Sequence, residues 1–150
     1  MAAINTKEFL EELIFCLKNE DIVKSKALLQ FITNPEMNVN VQKRALHELS
    51  KASERLVFPI LEYLTTLQIP NPEIKDSLYE LILDKAYGNS DRIIQYIEQN
   101  DKRNRLIYIK VAGDFMLVEA APVLEKILET SKDTEIIVQT AVSLGSNRLP

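Results

Sequence analysis

Tryptophan is absent, and histidine and cysteine occur once each, as His47 and Cys16. A lone cysteine excludes an intramolecular disulfide and fits a reducing compartment. A lone histidine leaves no histidine pair for a metal, and a site built on Cys16 and His47 would still lack its usual partners. Three glycines and six prolines are too few for a fold made of β-turns or for flexible linkers. There is no phosphate-cradling glycine loop, no Gly-x-Ser-x-Gly elbow and no zinc-ligand spacing. Long apolar runs are missing as well. No stretch approaches the roughly 20 residues of a membrane span. Glu8, Glu11 and Glu12 interrupt the first apolar pattern, where a secretory signal needs an unbroken one. The expectation is a cytoplasmic protein without cofactor or metal, and without a catalytic constellation.

What is present is a well-ordered composition. Of 150 residues, 46% are apolar and 27% charged, which describes a packed chain rather than a disordered one. The net charge of −4 argues against a general nucleic-acid binder. The missing tryptophan weakens any stacking platform for nucleic acids or tetrapyrroles.

Four segments then recur at nearly constant spacing: Val41–Ser50, Ile74–Leu83, Asn104–Gly113 and Ile136–Gly145. Their last positions, 50, 83, 113 and 145, lie 33, 30 and 32 residues apart. A period of that size is the mark of stacked helical hairpins, each hiding its apolar face against the next. Inside the segments the apolar residues fall at helical spacing, as in Val41, Ala45 and Leu49 or Ile74, Leu78, Leu81 and Ile82. Asn38, Asn71, Asp101 and Asp133 each stand three residues before the first register position, where an N-cap belongs. Pro72 follows Asn71 at the first helical position, which tolerates proline.

A second set of helices is placed by counting nine residues past each segment end, to Pro59, Arg92 and Pro122. Leu61, Ile94 and Leu124 are then equivalent, and so are Leu64, Ile97 and Ile127. The spacing predicts nine helices, near 5–18, 22–33, 39–51, 55–67, 72–86, 91–99, 102–116, 119–130 and 134–145. Connections of two to five residues leave no room for a linker or a second domain, so residues 1–150 are expected to form one domain.

The pattern resembles the HEAT-repeat family over nearly the whole chain. That family's second helix reads roughly Asp-x-x-Val-Arg-x-x-Ala-Ala-x-Ala-Leu-Gly. Asp133–Ile136 and Ser143-Leu144-Gly145 are similar to it, as are Ala45 with Leu49, Lys75 after Ile74, and Arg105 at the arginine position. Pro59 and Pro122 match the proline of the first helix. Asn104 departs from it at the valine position, Glu48 at a small-residue position and Ile137 at the arginine position. The resemblance implies an all-α, right-handed α-solenoid of about four and a half hairpins, with second helices on the concave face. It implies a non-catalytic scaffold that binds a protein partner or a neighbouring domain of the same chain. Some HEAT-like families act instead as chromophore lyases on phycobiliproteins, and some helical repeats bind DNA in a basic groove.

On that concave face the residues expected to meet a partner are Lys43, Arg44, His47, Lys51, Lys75, Arg103 and Lys110. The competing view makes them solvated helix faces, with Arg105 and Lys75 bonding neighbouring caps. The last segment ends the chain differently. Ile137, Val138 and Val142 leave it hardly any polar face, whereas a capping helix needs one. This segment is therefore expected to pack on something further: more of a longer parent protein, or a second copy in a homodimer.

Overall fold

The computed structural model describes residues 5–98 and 101–147, with side chains described as far as Gly145. Among the described residues lie nine α-helices and no strand. They are α1 Thr6–Lys18, α2 Ile22–Leu29, α3 Val39–Ser50, α4 Glu54–Leu64, α5 Pro72–Ala86, α6 Ser90–Glu98, α7 Lys102–Asp114, α8 Ala121–Thr130 and α9 Thr134–Asn147. Number and order match the sequence expectation, and the differences have local causes. Helix α2 gives way early to a 3-10 turn at Gln30–Thr33, because Asn34 precedes Pro35 and is held extended. Helix α4 stops at Leu64, where the Thr65 and Thr66 hydroxyls donate to the carbonyls of Glu62 and Tyr63. Pro59 and Pro122, equivalent by counting, occupy different positions. Pro122 sits in the first turn of α8, where its missing N–H costs nothing. Pro59 lies inside α4 and removes the bond to the Arg55 carbonyl.

The odd-numbered helices begin alike. Asn38 accepts from the Asn40 N–H at 2.8 Å, Asn71 from Glu73 at 2.9 Å, Asp101 from Asn104 at 3.1 Å and Asp133 from Glu135 at 3.0 Å. Asn5 caps α1 in the same way, accepting from Lys7 and Glu8 at 3.1 Å each. Each such cap satisfies donors that would otherwise end the helix bare.

Two helix ends use a left-handed residue that is not glycine. After α1, Glu20 has φ 54°, with Asp21 N–H bonded to Cys16 O and Glu20 N–H to Leu17 O. After α7, Met116 has φ 50°, with Leu117 N–H bonded to Ala112 O and Met116 N–H to Gly113 O. This bond pair closes the last carbonyls of a helix in the Schellman manner. After α5, Gly88 takes the left-handed conformation at φ 78° with no Cβ penalty, and the Asn89 side chain donates to the Lys85 carbonyl at 2.9 Å.

The chain divides into two compact units, Met1–Ile82 and Leu83–Pro150, with the boundary inside α5. In the first, α1 packs on α2 and α3, and α2 on α4. Leu13, Leu29, Leu49, Val57, Ile60, Leu61, Leu64 and Ile74 are fully buried there. Phe9 meets Phe31 edge to face at 5.6 Å. In the second, α7 packs on α6 and α9, and α8 on α9. Tyr108 is fully buried and stacks on Tyr96 at 4.6 Å, the packing role that its register allowed. Leu78, at the same register of α5, is buried too, while Tyr79 beside it is half-buried.

Helices α7 and α9 cross at Gly113. A Cβ there would stand 2.7 Å from Ser143 Oγ and 2.9 Å from Ser143 Cα, so backbone would have to move. Gly113→Ala is therefore expected to lower stability by about 1–3 kcal/mol, despite alanine's better helix propensity. Met116→Gly is expected to act oppositely, raising it by about 0.5–1 kcal/mol as the left-handed strain is relieved. Urea denaturation followed by circular dichroism measures both signs.

Candidate functional site

The candidate basic residues of the first unit are positioned by α3. Its cap at Asn38 sets the phase that turns Gln42, Ala45, Leu46, Glu48 and Leu49 inward. Lys43, Arg44, His47 and Lys51 are left around the outer side. Gln42 is buried but satisfied, donating to the carbonyls of Phe31 at 3.0 Å and Asn34 at 2.8 Å. It thereby ties α3 to the turn that ends α2, beside a cleft of about 240 Å³ lined by Ile32, Met37 and Pro70.

Most of this positive charge is spent inside the unit. Lys43 pairs with Glu73 in the first turn of α5. Arg44 Nε and Lys51 Nζ both reach Glu48 Oε1, at 3.2 and 3.3 Å. Glu48 is only 9% exposed. Burial pushes its carboxyl up, but the hydrogen bonds from Arg44 and Lys51 outweigh that and leave it below its ordinary value. His47 and Lys75 are exposed. In the second unit Arg103 and Lys110 lie exposed on α7, while Arg105 turns back to donate from Nε to Ile97 O at 3.0 Å. The view that made these cations solvated faces had Arg105 bonding a neighbouring cap; it bonds the Ile97 carbonyl near the end of α6 instead.

Glu48 is the residue the sequence pattern marked without explaining. Where the HEAT pattern that the sequence resembles has a small residue, Glu48 serves as a shared counter-ion for two cations. Next to it a cleft of about 270 Å³ opens between the end of α1 and the α3–α4 turn, lined by Ile14, Leu17, Lys18, Glu20, Lys51 and Ser53. Glu20 closes one wall, accepting from Arg55 Nη2 at 2.6 Å and Ser53 Oγ at 3.0 Å. Those bonds hold its carboxyl below the usual range. The cleft carries charges of both signs over an apolar floor, a lining suited to contact rather than to long-range attraction.

The one thiol offers no nucleophile. Cys16 is 1% exposed, and burial with the nearby Glu12 carboxylate pushes it up, away from the thiolate. Among the described residues no group of three His, Cys, Asp or Glu is arranged to hold a metal ion, and no helix is long and apolar enough to cross a membrane. In the last helix Ile137 is half-buried, while Val138 and Val142 are 58% and 60% exposed. Lys102 at the start of α7 meets α9's cap at 3.1 Å from Asp133 Oδ2, and Glu135 at 3.4 Å. The hydrogen bond from Lys102 holds the Asp133 carboxyl low while Asp133 also receives the N–H groups of Glu135 and Ile136. No family model, curated protein or solved structure matches this chain.

Because the folded Glu48 carboxyl is the stronger acid, its stabilising effect is present above its ordinary value of 4.5. The effect is lost as pH falls through the lower folded value. Glu48→Gln is expected to cost about 1 kcal/mol at neutral pH, since Arg44 and Lys51 stay solvated. The gap to wild type should narrow as pH falls through the lowered folded value of Glu48 and close once that carboxyl is protonated and both side chains are neutral. Urea midpoints of the two proteins across pH 3 to 7, on the scale of ordinary carboxylate titration, read this directly. A gap that does not change with pH would assign Glu48 a packing role only.

Proposed function

We propose that this chain is a HEAT-like α-solenoid segment that works as a non-catalytic scaffold, binding a protein partner through the outward side of its odd-numbered helices. The observation that carries the reading is the sequence separation of its side-chain contacts. Gln30 meets Tyr63 across 33 residues, Ser53 meets Glu20 across 33, Arg55 meets Glu20 across 35, and Lys102 meets Glu135 across 33. Those are contacts between residues one sequence period apart. Stacked repeats generate such contacts because each hairpin touches its immediate successor.

Partner binding follows from the same surface. Glu48 and Glu73 absorb the charge of Arg44, Lys51 and Lys43, so α3 presents a balanced strip rather than a basic one. A balanced strip suits a folded or peptide protein ligand better than a polyphosphate backbone, whose capture needs many uncompensated cations. His47 and Lys75 carry the exposed polar contacts of the first unit, and Arg103 and Lys110 those of the second.

The test uses the immobilised chain and a His47→Glu/Lys75→Glu double variant with the same thermal midpoint. Proteins retained from an extract of the source cells are quantified by mass spectrometry after nuclease treatment. A defined protein retained by wild type and depleted about tenfold by the variant, roughly 1.4 kcal/mol of binding, is the expected result. Equal retention by both proteins, or no protein retained, would sink the reading.

A further inference from the structure

The two ladder helices of the second unit can be compared position by position. The first register positions are Asn104 in α7 and Ile136 in α9, so Leu106, Ile109, Lys110 and Gly113 correspond to Val138, Ala141, Val142 and Gly145. In both helices these residues follow one stripe, at i, i+3, i+4 and i+7. On α7 three of the four stripe positions belong to the side that receives another helix, and Lys110 is exposed at its edge. Ile109 is fully buried, Leu106 half-buried, and Gly113 is the point where Ser143 of α9 comes closest.

On α9 the same stripe is open. Val138 is 58% and Val142 60% exposed, Ala141 is exposed, and a Cβ added to Gly145 meets nothing within 4 Å. The neighbouring α8 does not extend this apolar surface, since it exposes Glu125, Lys126 and Glu129. The surface here fits a single helix.

Which helix is settled by the order of sizes along the stripe: valine, alanine, valine, glycine. Run against itself in the opposite direction about a twofold axis between residues 141 and 142, it places each large residue on a small one. Val138 falls on Gly145 of the second copy, and Val142 on Ala141 of the second copy. Isologous pairing of this kind makes every contact twice, and small residues let the helix axes approach to about 8 Å. We propose that α9 pairs antiparallel with α9 of a second copy, forming a weak twofold dimer. One helix pair with its surroundings lies at the low end of interface sizes, so dissociation in the micromolar range or above is expected. This inference does not depend on the partner-binding reading.

Sedimentation equilibrium from low micromolar to sub-millimolar concentration should show monomer and dimer in exchange. Ala141→Arg, and separately Val138→Lys, should shift dissociation at least about tenfold while leaving the thermal midpoint of the dilute monomer unchanged, because both positions are exposed. Cysteine pairing then reads the register. Val142→Cys should form a disulfide dimer under mild oxidation, the native Cys16 being buried. Val138→Cys alone should not, because two copies of residue 138 would lie about 10 Å apart along the axis. A mixture of Val138→Cys and Gly145→Cys should cross-link. A chain that stays monomeric to sub-millimolar concentration overturns the proposal. So does a dimer indifferent to both charged variants, or one in which Val138→Cys cross-links efficiently with itself.

Discussion

The Asx cap at the start of each odd-numbered helix is the interaction on which the rest depends. Asn5, Asn38, Asn71, Asp101 and Asp133 lie 33, 33, 30 and 32 residues apart, and each accepts at least one backbone N–H from the turn it starts. A helix of eight to fifteen residues is marginal by propensity alone, so where it begins decides which side chains point inward. A start shifted by one residue would rotate every side chain by about 100°. On α3 that would carry Leu46 and Leu49 out of the core and bring Lys43 or Arg44 in. The even-numbered helices are mixed: Asp21 accepts from the Lys24 N–H at 3.1 Å at the start of α2, whereas α4 and α8 have no side-chain cap bond and their ends follow the contacts around them.

Fixing the phase also decides which charges meet. Lys43 reaches the first turn of α5 and Lys102 that of α9, so a cation near the start of one ladder helix meets carboxylates near the start of the next. These carboxylates sit at helix N-termini, where the macrodipole already favours negative charge. Each exposed pair adds little by itself. Their value is in register: a helix that slid by a turn would bring the cation against the wrong partner. Glu48 is the exception, a nearly buried carboxylate whose two cations stay in solvent. Removing it therefore leaves no buried charge behind, in contrast to a fully buried ion pair.

The helices were legible in the sequence because their signals are local. The period, the apolar stripes and four of the five odd-helix caps are all readable within a turn or two of each other. Asn5 escaped because it stands one period before Asn38, ahead of the four segments that the spacing marks. Helices α2 and α4 end a few residues before the expected positions for a related reason. Nothing in the sequence of QFIT says that Gln42, eleven residues beyond Phe31, will claim its carbonyl. Nor does counting distinguish Pro59 in mid-helix from Pro122 in a first turn. The candidate site was legible as a set of cations and not as a set of pairs. Glu48 looked like a flaw in a repeat pattern, when its place beside Arg44 and Lys51 at i−4 and i+3 already made a shared counter-ion geometrically available.

Small residues divide the work of the ladder differently from large ones. Leucine and isoleucine fill the buried core of each unit and so carry little information about position. Gly113 does carry it, because only where two helix backbones nearly touch is a Cβ excluded, and its contact with Ser143 locates the α7–α9 crossing. Ser143 itself is buried at that crossing beside Thr140, whose hydroxyl returns to the Ile136 carbonyl and leaves no polar group demanding water. Gly145 keeps the same register letter with nothing against it. A glycine near the end of a helix costs propensity without steric need, and at Gly145 it leaves room for a close approach beside exposed Val138 and Ala141. The same residue type at the same register therefore marks a contact already made in one helix and a contact still available in the other.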